Sequence, residues 1–222
     1  MLFFSTVARE SLFAAIFSYP CGTKQVNENI YAVKCFFWGD FYAYKSSGTV
    51  ILFDAGLGLK NNLKKLAKFG IGPEDIGYVF LTHSDLDHAG GVKFFPNAKV
   101  YISKDEEKLI DGTRRRFLFY RSPGIKRPYE LLKPGDIINI GNIKIEVITA
   151  SGHTPGSVAY LVNNNILFTG DAVVNGVINR FFNRILNMDN GKEKETYKRL
   201  NSLENLSIIC TPHSGITIKH GK

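Results

Sequence analysis

Cysteine is scarce in this chain, and no two of Cys21, Cys35 and Cys210 form a CxxC pair. An odd number at such spacings excludes a disulfide framework or a structural zinc knot as the organising element, and fits a reducing compartment. Cys210 ends the apolar run Ile208-Ile209-Cys210 and reads as a small buried hydrophobe. Long apolar runs are also missing. Leu2-Phe3-Phe4 and the stretch from Leu12 to Phe17 are apolar, but Arg9-Glu10 separates them and no basic segment precedes them. Neither a membrane span nor a secretory signal is expected on that pattern, and the expectation is a cytoplasmic protein without a membrane. Residues 1–25 read as an N-terminal extension, with a short helix over 5–18 packed on the domain and available for a homodimer contact. Repeats, low-complexity stretches and a Pro/Gly/Ser linker are absent, so residues 26–222 are expected to form one domain. Acidic residues are outnumbered: 28 Lys and Arg against 20 Asp and Glu leave a formal charge of +8. That charge favours anionic partners without choosing among them.

Strand signals come first. Asn29-Ile30-Tyr31-Ala32-Val33, Phe41-Tyr42-Ala43-Tyr44 and Thr49-Val50-Ile51-Leu52-Phe53 follow one another, the last two joined by a Ser46-Ser47-Gly48 turn. Leu59, Leu63, Leu66 and Ala67 then recur at helical spacing until Gly70. Residues 77–81 form a short apolar strand, 88–95 a helix, 99–102 a strand and 103–110 a helix. Residues 111–130 have no regular pattern. Strands resume at 136–140, 143–148, 157–162 and 166–168, and a helix at 192–204 precedes a last strand at 207–210. Strands followed by strand–helix alternation in two halves imply two packed sheets with helices outside.

The five histidines carry the chemistry. His83 and His88 flank Asp85 and Asp87 directly after the strand 77–81. His153 lies in Ser151-Gly152-His153-Thr154-Pro155-Gly156, Asp171 in Thr169-Gly170-Asp171 and His213 in Thr211-Pro212-His213-Ser214-Gly215. Each follows the C-terminal end of a predicted strand, where α/β sheets place ligand-binding loops. Imidazole with carboxylate suits zinc, iron or manganese better than calcium or magnesium, and can leave a position open for water. Singly, Asp85 and Asp87 read equally well as turn or helix-cap residues. Together and in this order the set points to a metal centre. His220 matches none of it and reads as solvated.

His83-x-Asp85-x-Asp87-His88, then His153, Asp171 and His213, is similar to the pattern of the metallo-β-lactamase superfamily, glyoxalase II and the lactonases included. Phe53-Asp54-Ala55-Gly56 resembles that family's early Asp-x-Gly turn, in which Asp54 supports the site from behind the ligands. The resemblance implies an α+β fold, a four-layer αββα sandwich with metals at one edge. It implies two divalent ions, zinc first. One would be held by His83, Asp85 and His153, the other by Asp87, His88 and His213, with Asp171 bridging. A metal-bound hydroxide would attack the substrate, and Asp87 would orient it and pass a proton to the leaving group. Asp85 departs from the usual histidine. With two divalent ions, Asp85, Asp87, Asp171 and a hydroxide balance the four positive charges, whereas a neutral histidine would leave one in excess. A carboxylate at this place, like the glutamate of the related flavin-dependent di-iron proteins, makes iron or manganese more acceptable.

The expected activity is therefore hydrolysis of a small-molecule ester, thioester or lactone, and β-lactamase activity is not expected. Arg114, Arg115 and Arg116, interleaved downstream with Phe117, Phe119, Tyr120 and Arg121, read either as a wall that binds an anionic substrate or as a solvated basic loop. Three other activities use the same fold. A nuclease or phosphodiesterase would suit the charge, but nucleic acid is not the expected partner because the chain is too short for the added binding domains of such relatives. An iron-dependent redox enzyme and a non-catalytic metal-binding protein are the others.

Overall fold

The computed structural model describes residues 21–35, 39–116, 122, 124–173 and 184–219. The helix expected over 5–18, the aromatic residues Phe117, Phe119 and Tyr120 with Arg121, and His220 lie outside that set.

The first expected strands form β2 (Ile30–Lys34), β3 (Asp40–Ser46) and β4 (Thr49–Phe53), with β1 (Lys24–Gln25) on the edge. Ser47 and Gly48, at φ 48° and 78°, make the tight turn between β3 and β4. Two left-handed residues match the twist of a hairpin, which is why a glycine stands there. The chain then crosses over through α1 (Asn61–Ala67) to β5 (Ile76–Phe80), and onward to β6 (Lys99–Ser103) and β7 (Glu130–Leu132). These seven strands form one sheet in sequence order, antiparallel through β4 and parallel beyond it. The second sheet holds β8 (Ile137–Ile140), β9 (Ile143–Thr149), β10 (Val158–Val162), β11 (Ile166–Phe168), β12 (Ile208–Thr211) and β13 (Gly215–Ile218). Its order is β13-β12-β11-β10-β9-β8, with β11 and β12 parallel.

Alternation along the strands decides what lies between the sheets. Tyr42, Ile51, Phe53 and Phe80 from one face Ile145, Tyr160 and Phe168 from the other in a shared core. Phe53 stacks on Phe168 with ring centroids 3.8 Å apart, and Tyr160 sits 5.3 Å from Phe80. Each fully buried ring of this kind contributes about 2–3 kcal/mol of hydrophobic stabilisation. The opposite face of the first sheet, with Leu52, Val79 and Val100, is covered by Leu66 of α1 and by Ala89 of α2 (Leu86–Ala89). The outer face of the second packs Ala159 and Leu167 against Leu200 of α4 (Asn190–Asn201), counting α3 as Glu107–Ile110. The order helix, sheet, sheet, helix is the four-layer αββα sandwich.

Four elements differ from the sequence reading, the first being β1, whose Lys24 and Gln25 pair with β2 from within the stretch expected to precede the domain. The helix expected over 88–95 stops at Ala89 and resumes as a 3-10 turn at Val92–Phe94. At Gly91 the backbone presses on the Ala55 carbonyl so closely that a Cβ would stand 1.9 Å from its oxygen. The segment expected to be irregular ends in β7, and β13 adds an edge strand that no alternating pattern announced. Among the described residues no helix is long and apolar enough to cross a membrane.

Candidate metal centre

Five strand ends deliver side chains to one edge of the sandwich. From the first sheet, β4 ends at Asp54, and β5 runs into Thr82-His83-Ser84-Asp85 and α2, which carries Asp87 and His88. From the second, β9 leads to His153, β11 to Asp171 and β12 to His213. All seven expected ligands meet across the boundary between the sheets. His83, Asp85 and His153 form one grouping whose ligand atoms all lie within 4.8 Å of one another; Asp87, His88 and His213 form a second; His83, His88 and Asp171 form a third. Asp171 faces both sides. Its Oδ2 is 3.1 Å from His153 Nε2, and its Oδ1 is 3.3 Å from His88 Nε2 and 3.1 Å from His213 Nε2. Gly170 makes this approach possible: its φ is 52°, and a Cβ there would meet the Thr82 side chain at 2.7 Å.

The imidazoles are turned by partners on their far side. His88 Nδ1 donates to Asp54 Oδ2 at 2.8 Å, His83 Nδ1 to Thr82 Oγ1 at 3.0 Å, and His153 Nδ1 to Asn187 Oδ1 at 3.0 Å. The Thr82 hydroxyl can accept from His83 because its own proton goes to Asp54, 3.0 Å away. Each ring is thereby held in the tautomer whose Nε2 lone pair faces the common centre. His83 Nε2, His88 Nε2 and Asp85 Oδ1 are buried and make no hydrogen bond among the described residues. Buried acceptors left in this state are costly. Three of them converging with further carboxylates fit a divalent cation.

The electrostatics agree. Burial works against a charge on His88, yet the Asp54, Asp87 and Asp171 carboxylates raise it well above the ordinary histidine value. His213 is raised against burial mainly by Asp171. Asp171 is held well below the carboxylate range, despite complete burial, by His213, His88 and His153. Asp85 is depressed likewise, against its burial, by the adjacent His153 and His83 rings and by the charge of Arg116. Burial, helped by the charges of Arg116 and His83, lowers His153 against the pull of Asp171 and Asp85. The centre carries a field that favours cations.

Of the basic run, Arg114 and Arg115 are exposed and Arg116 is buried. Arg116 Nε lies 3.0 Å from Asp85 Oδ2, and its Nη2 lies 2.7 Å from His153 Nε2. Arg114 instead lines a cavity of about 120 Å³ beside His153, with Thr154, Pro155, Met188, Asp189 and Lys192. Two supporting residues escaped the sequence reading. Asn187 orients His153. Buried Glu106 accepts from Ser84 N at 2.9 Å, from Gly156 N at 3.1 Å and from Thr154 Oγ1 at 2.5 Å, tying the His83 loop to the His153 loop. Nothing in the charged stretch Lys104-Asp105-Glu106-Glu107 singles it out.

A two-sheet sandwich with a histidine–carboxylate cluster at its edge defines a class of metal-binding fold. Residues 39–213 match the family model of the metallo-beta-lactamase superfamily. The chain belongs to that superfamily. It is 28% identical over 163 residues to an acyl-coenzyme A thioesterase of Gallus gallus, covering 62% of this chain and 58% of that protein. It is 30% identical over 158 residues to a hydroxyacylglutathione hydrolase of Salmonella dublin, covering 68% and 52%. The chain thus spans little more than half the length of these curated relatives. Among solved structures, a B3 metallo-beta-lactamase described as having an active-site glutamic acid superposes with a TM-score of 0.68 at 21% identity, over 98% of this chain and 88% of that one. That likeness concerns the fold.

Proposed function

We propose that this chain hydrolyses a small anionic thioester. Divalent metal would be held by His83, Asp85 and His153 on one side and by Asp87, His88 and His213 on the other, with Asp171 between them. The observation that carries the metal reading is the set of buried, preoriented Nε2 lone pairs converging with carboxylates. The names of the thioesterase and hydroxyacylglutathione hydrolase relatives support the substrate class.

When bound, a divalent ion would polarise a carbonyl and lower the pKa of water. The chain's own residues would do the rest. Asp54, Thr82 and Asn187 hold the imidazoles in register. Asp87, partly open to solvent, has Oδ2 3.6 Å from His88 Nε2 and 3.7 Å from His213 Nε2, and is placed to take the proton of an attacking water at that oxygen. A thiol of pKa about 8.5 leaves readily as the thiolate, so the reaction asks little of a general acid. One carboxylate at the mouth is enough for such a leaving group. Arg114 and Lys192, against the single Asp189, give the neighbouring cavity a positive rim suited to an anionic thiol carrier.

Zinc suits the imidazole-rich set first, and the hard oxygen of Asp85 leaves iron and manganese open. Metal analysis of protein purified without added metal decides this, and a stoichiometric zinc-only content would exclude the iron or manganese preference. The activity test uses metal-loaded protein with a hydroxyacylglutathione and short acyl-coenzyme A thioesters beside lactones, a chromogenic β-lactam and a phosphodiester. Thioester turnover that a chelator abolishes and added metal restores is the expected result. Preferential cleavage of the phosphodiester, or inertness towards every thioester, would refute the assignment.

A further inference from the structure

Arg116 has 3% side-chain exposure, beside two neighbouring arginines that face solvent. Its guanidinium reaches into the centre. Nη1 donates to the His153 carbonyl at 3.1 Å and Nη2 to the Leu186 carbonyl at 2.8 Å, while Nε pairs with Asp85 Oδ2 at 3.0 Å. Nη2 also stands 2.7 Å from His153 Nε2. The protonation of that ring is determined by its surroundings. Asn187 Oδ1 accepts a hydrogen bond from Nδ1–H, and the Asn187 amide nitrogen donates to Asn190 Oδ1 at 3.0 Å, which fixes the way the amide points. Nη2 is also 3.3 Å from Nδ1, so the guanidinium lies over the ring face, and its charge, 2.7 Å from Nε2, opposes a second cation bound at that nitrogen. Asp85 Oδ2 is neutralised directly by the same guanidinium.

We propose that Arg116 is a built-in cation occupying the His83–Asp85–His153 position. The protein would then bind one divalent ion tightly, at Asp87, His88, His213 and Asp171, and admit a second only when Arg116 is displaced. This rests on the reading of the cluster as a metal centre. Charge supports it: one divalent ion and one guanidinium supply three positive charges against Asp85, Asp87 and Asp171. The unusual carboxylate at position 85 then has a physical reason. A buried guanidinium needs a counter-ion, and a neutral histidine there would leave Arg116 unbalanced. Asp85 and Arg116 form a matched pair, and the guanidinium charge beside Asp85 and His153 opposes a metal ion at the first position.

The test is a titration of the metal-free chain with zinc and, separately, with cobalt(II), following bound metal by equilibrium dialysis and the cobalt spectrum. The parent should take one tight equivalent. Arg116→Met keeps the apolar stem and removes the charge, and should take two, the second tightening by about 100-fold, in the usual range for coupled sites. A second pair of variants holds if Arg116→Met fails to fold: His153→Ala should keep the tight equivalent and His213→Ala should lose it. Two tight equivalents in the parent, an Arg116→Met variant that folds but gains no second equivalent, or loss of the tight equivalent in His153→Ala, would overturn the proposal and leave the metal-centre reading standing. A parent that binds no metal would overturn both.

Discussion

At position 54 the backbone takes a φ of 61°, a left-handed conformation that costs a non-glycine residue about 1 kcal/mol. The strain aims one carboxylate at three donors: Thr82 N at 2.8 Å, Thr82 Oγ1 at 3.0 Å and His88 Nδ1 at 2.8 Å. Asp54→Asn tolerates the same backbone but removes the charge behind His88. Metal affinity should fall about 10–100-fold with the fold intact, as read by competition against a chelating dye; an unchanged affinity would show that Asp54 acts only as a turn residue. Asp40 tests the opposite case, a buried carboxylate that burial pushes up to about 6. Its Oδ2 accepts from Cys21 N at 2.5 Å, and its Oδ1 is buried with no hydrogen bond among the described residues. Because the folded state holds this proton more tightly than the unfolded chain, whose aspartate titrates near 4, stability falls as pH rises from about 4 to 6 and is level above. Asp40→Asn should be more stable than the parent at pH 8 by about 1–2 kcal/mol and should show no gain at pH 4. Urea denaturation at the two pH values, under matched metal conditions, checks the sign.

Between elements, Glu106 is the clearest case of support by a single side chain. It sits on the 3-10 turn after β6 and holds the loop after β5 and the loop after β9 in one set of hydrogen bonds. Glu106→Ala would leave the Ser84 and Gly156 amides buried without an acceptor, at a cost of about 3 kcal/mol. Glu106→Gln retains an acceptor and should recover much of it. Chemical denaturation measures both, and equal stabilities for the two variants would refute the tie. The contrast with the ligands shows what a sequence makes legible. His83, Asp87 and His88 follow a strand at fixed spacing, and His153, Asp171 and His213 sit in recognisable turns, so local pattern suffices to find them. Strand alternation likewise reveals the two sheets. Glu106 and Asn187 act through contacts 48 and 34 residues away in the chain, and nothing near them in sequence marks that reach. Periodicity also could not say which of three adjacent arginines turns inward, because that depends on contacts with the distant Asp85 and His153. β7 and β13 were hidden for a related reason: short edge strands have their partners, and not their own composition, to define them.

For the molecule as a whole, the centre lies on a seam. His83, Asp85, Asp87 and His88 hang from the seven-stranded sheet, and His153, Asp171 and His213 from the six-stranded one. The apolar core joins the sheets across their facing surfaces. At this edge the joining groups are carboxylates and imidazoles, with Tyr42 Oη donating to the Thr211 carbonyl at 2.9 Å and Tyr160 Oη to the Leu81 carbonyl at 2.7 Å just inside. A cation shared between ligands from both sheets therefore acts as a staple, binding the folded chain and not the unfolded one. By mass action, free metal at about 100 times its dissociation constant stabilises the fold by about 2.7 kcal/mol. For a chain of this size that corresponds to a rise of roughly 5–10 °C in Tm. Stripping metal with a chelator should lower Tm by that amount, and restoring it should reverse the change. Hydrogen exchange should speed up chiefly in the loops at 82–88, 151–156 and 211–214, while the strands between Phe53 and Phe168 keep their protection. A Tm indifferent to chelation, or faster exchange spread evenly through both sheets, would show that the seam is held by the aromatic core alone.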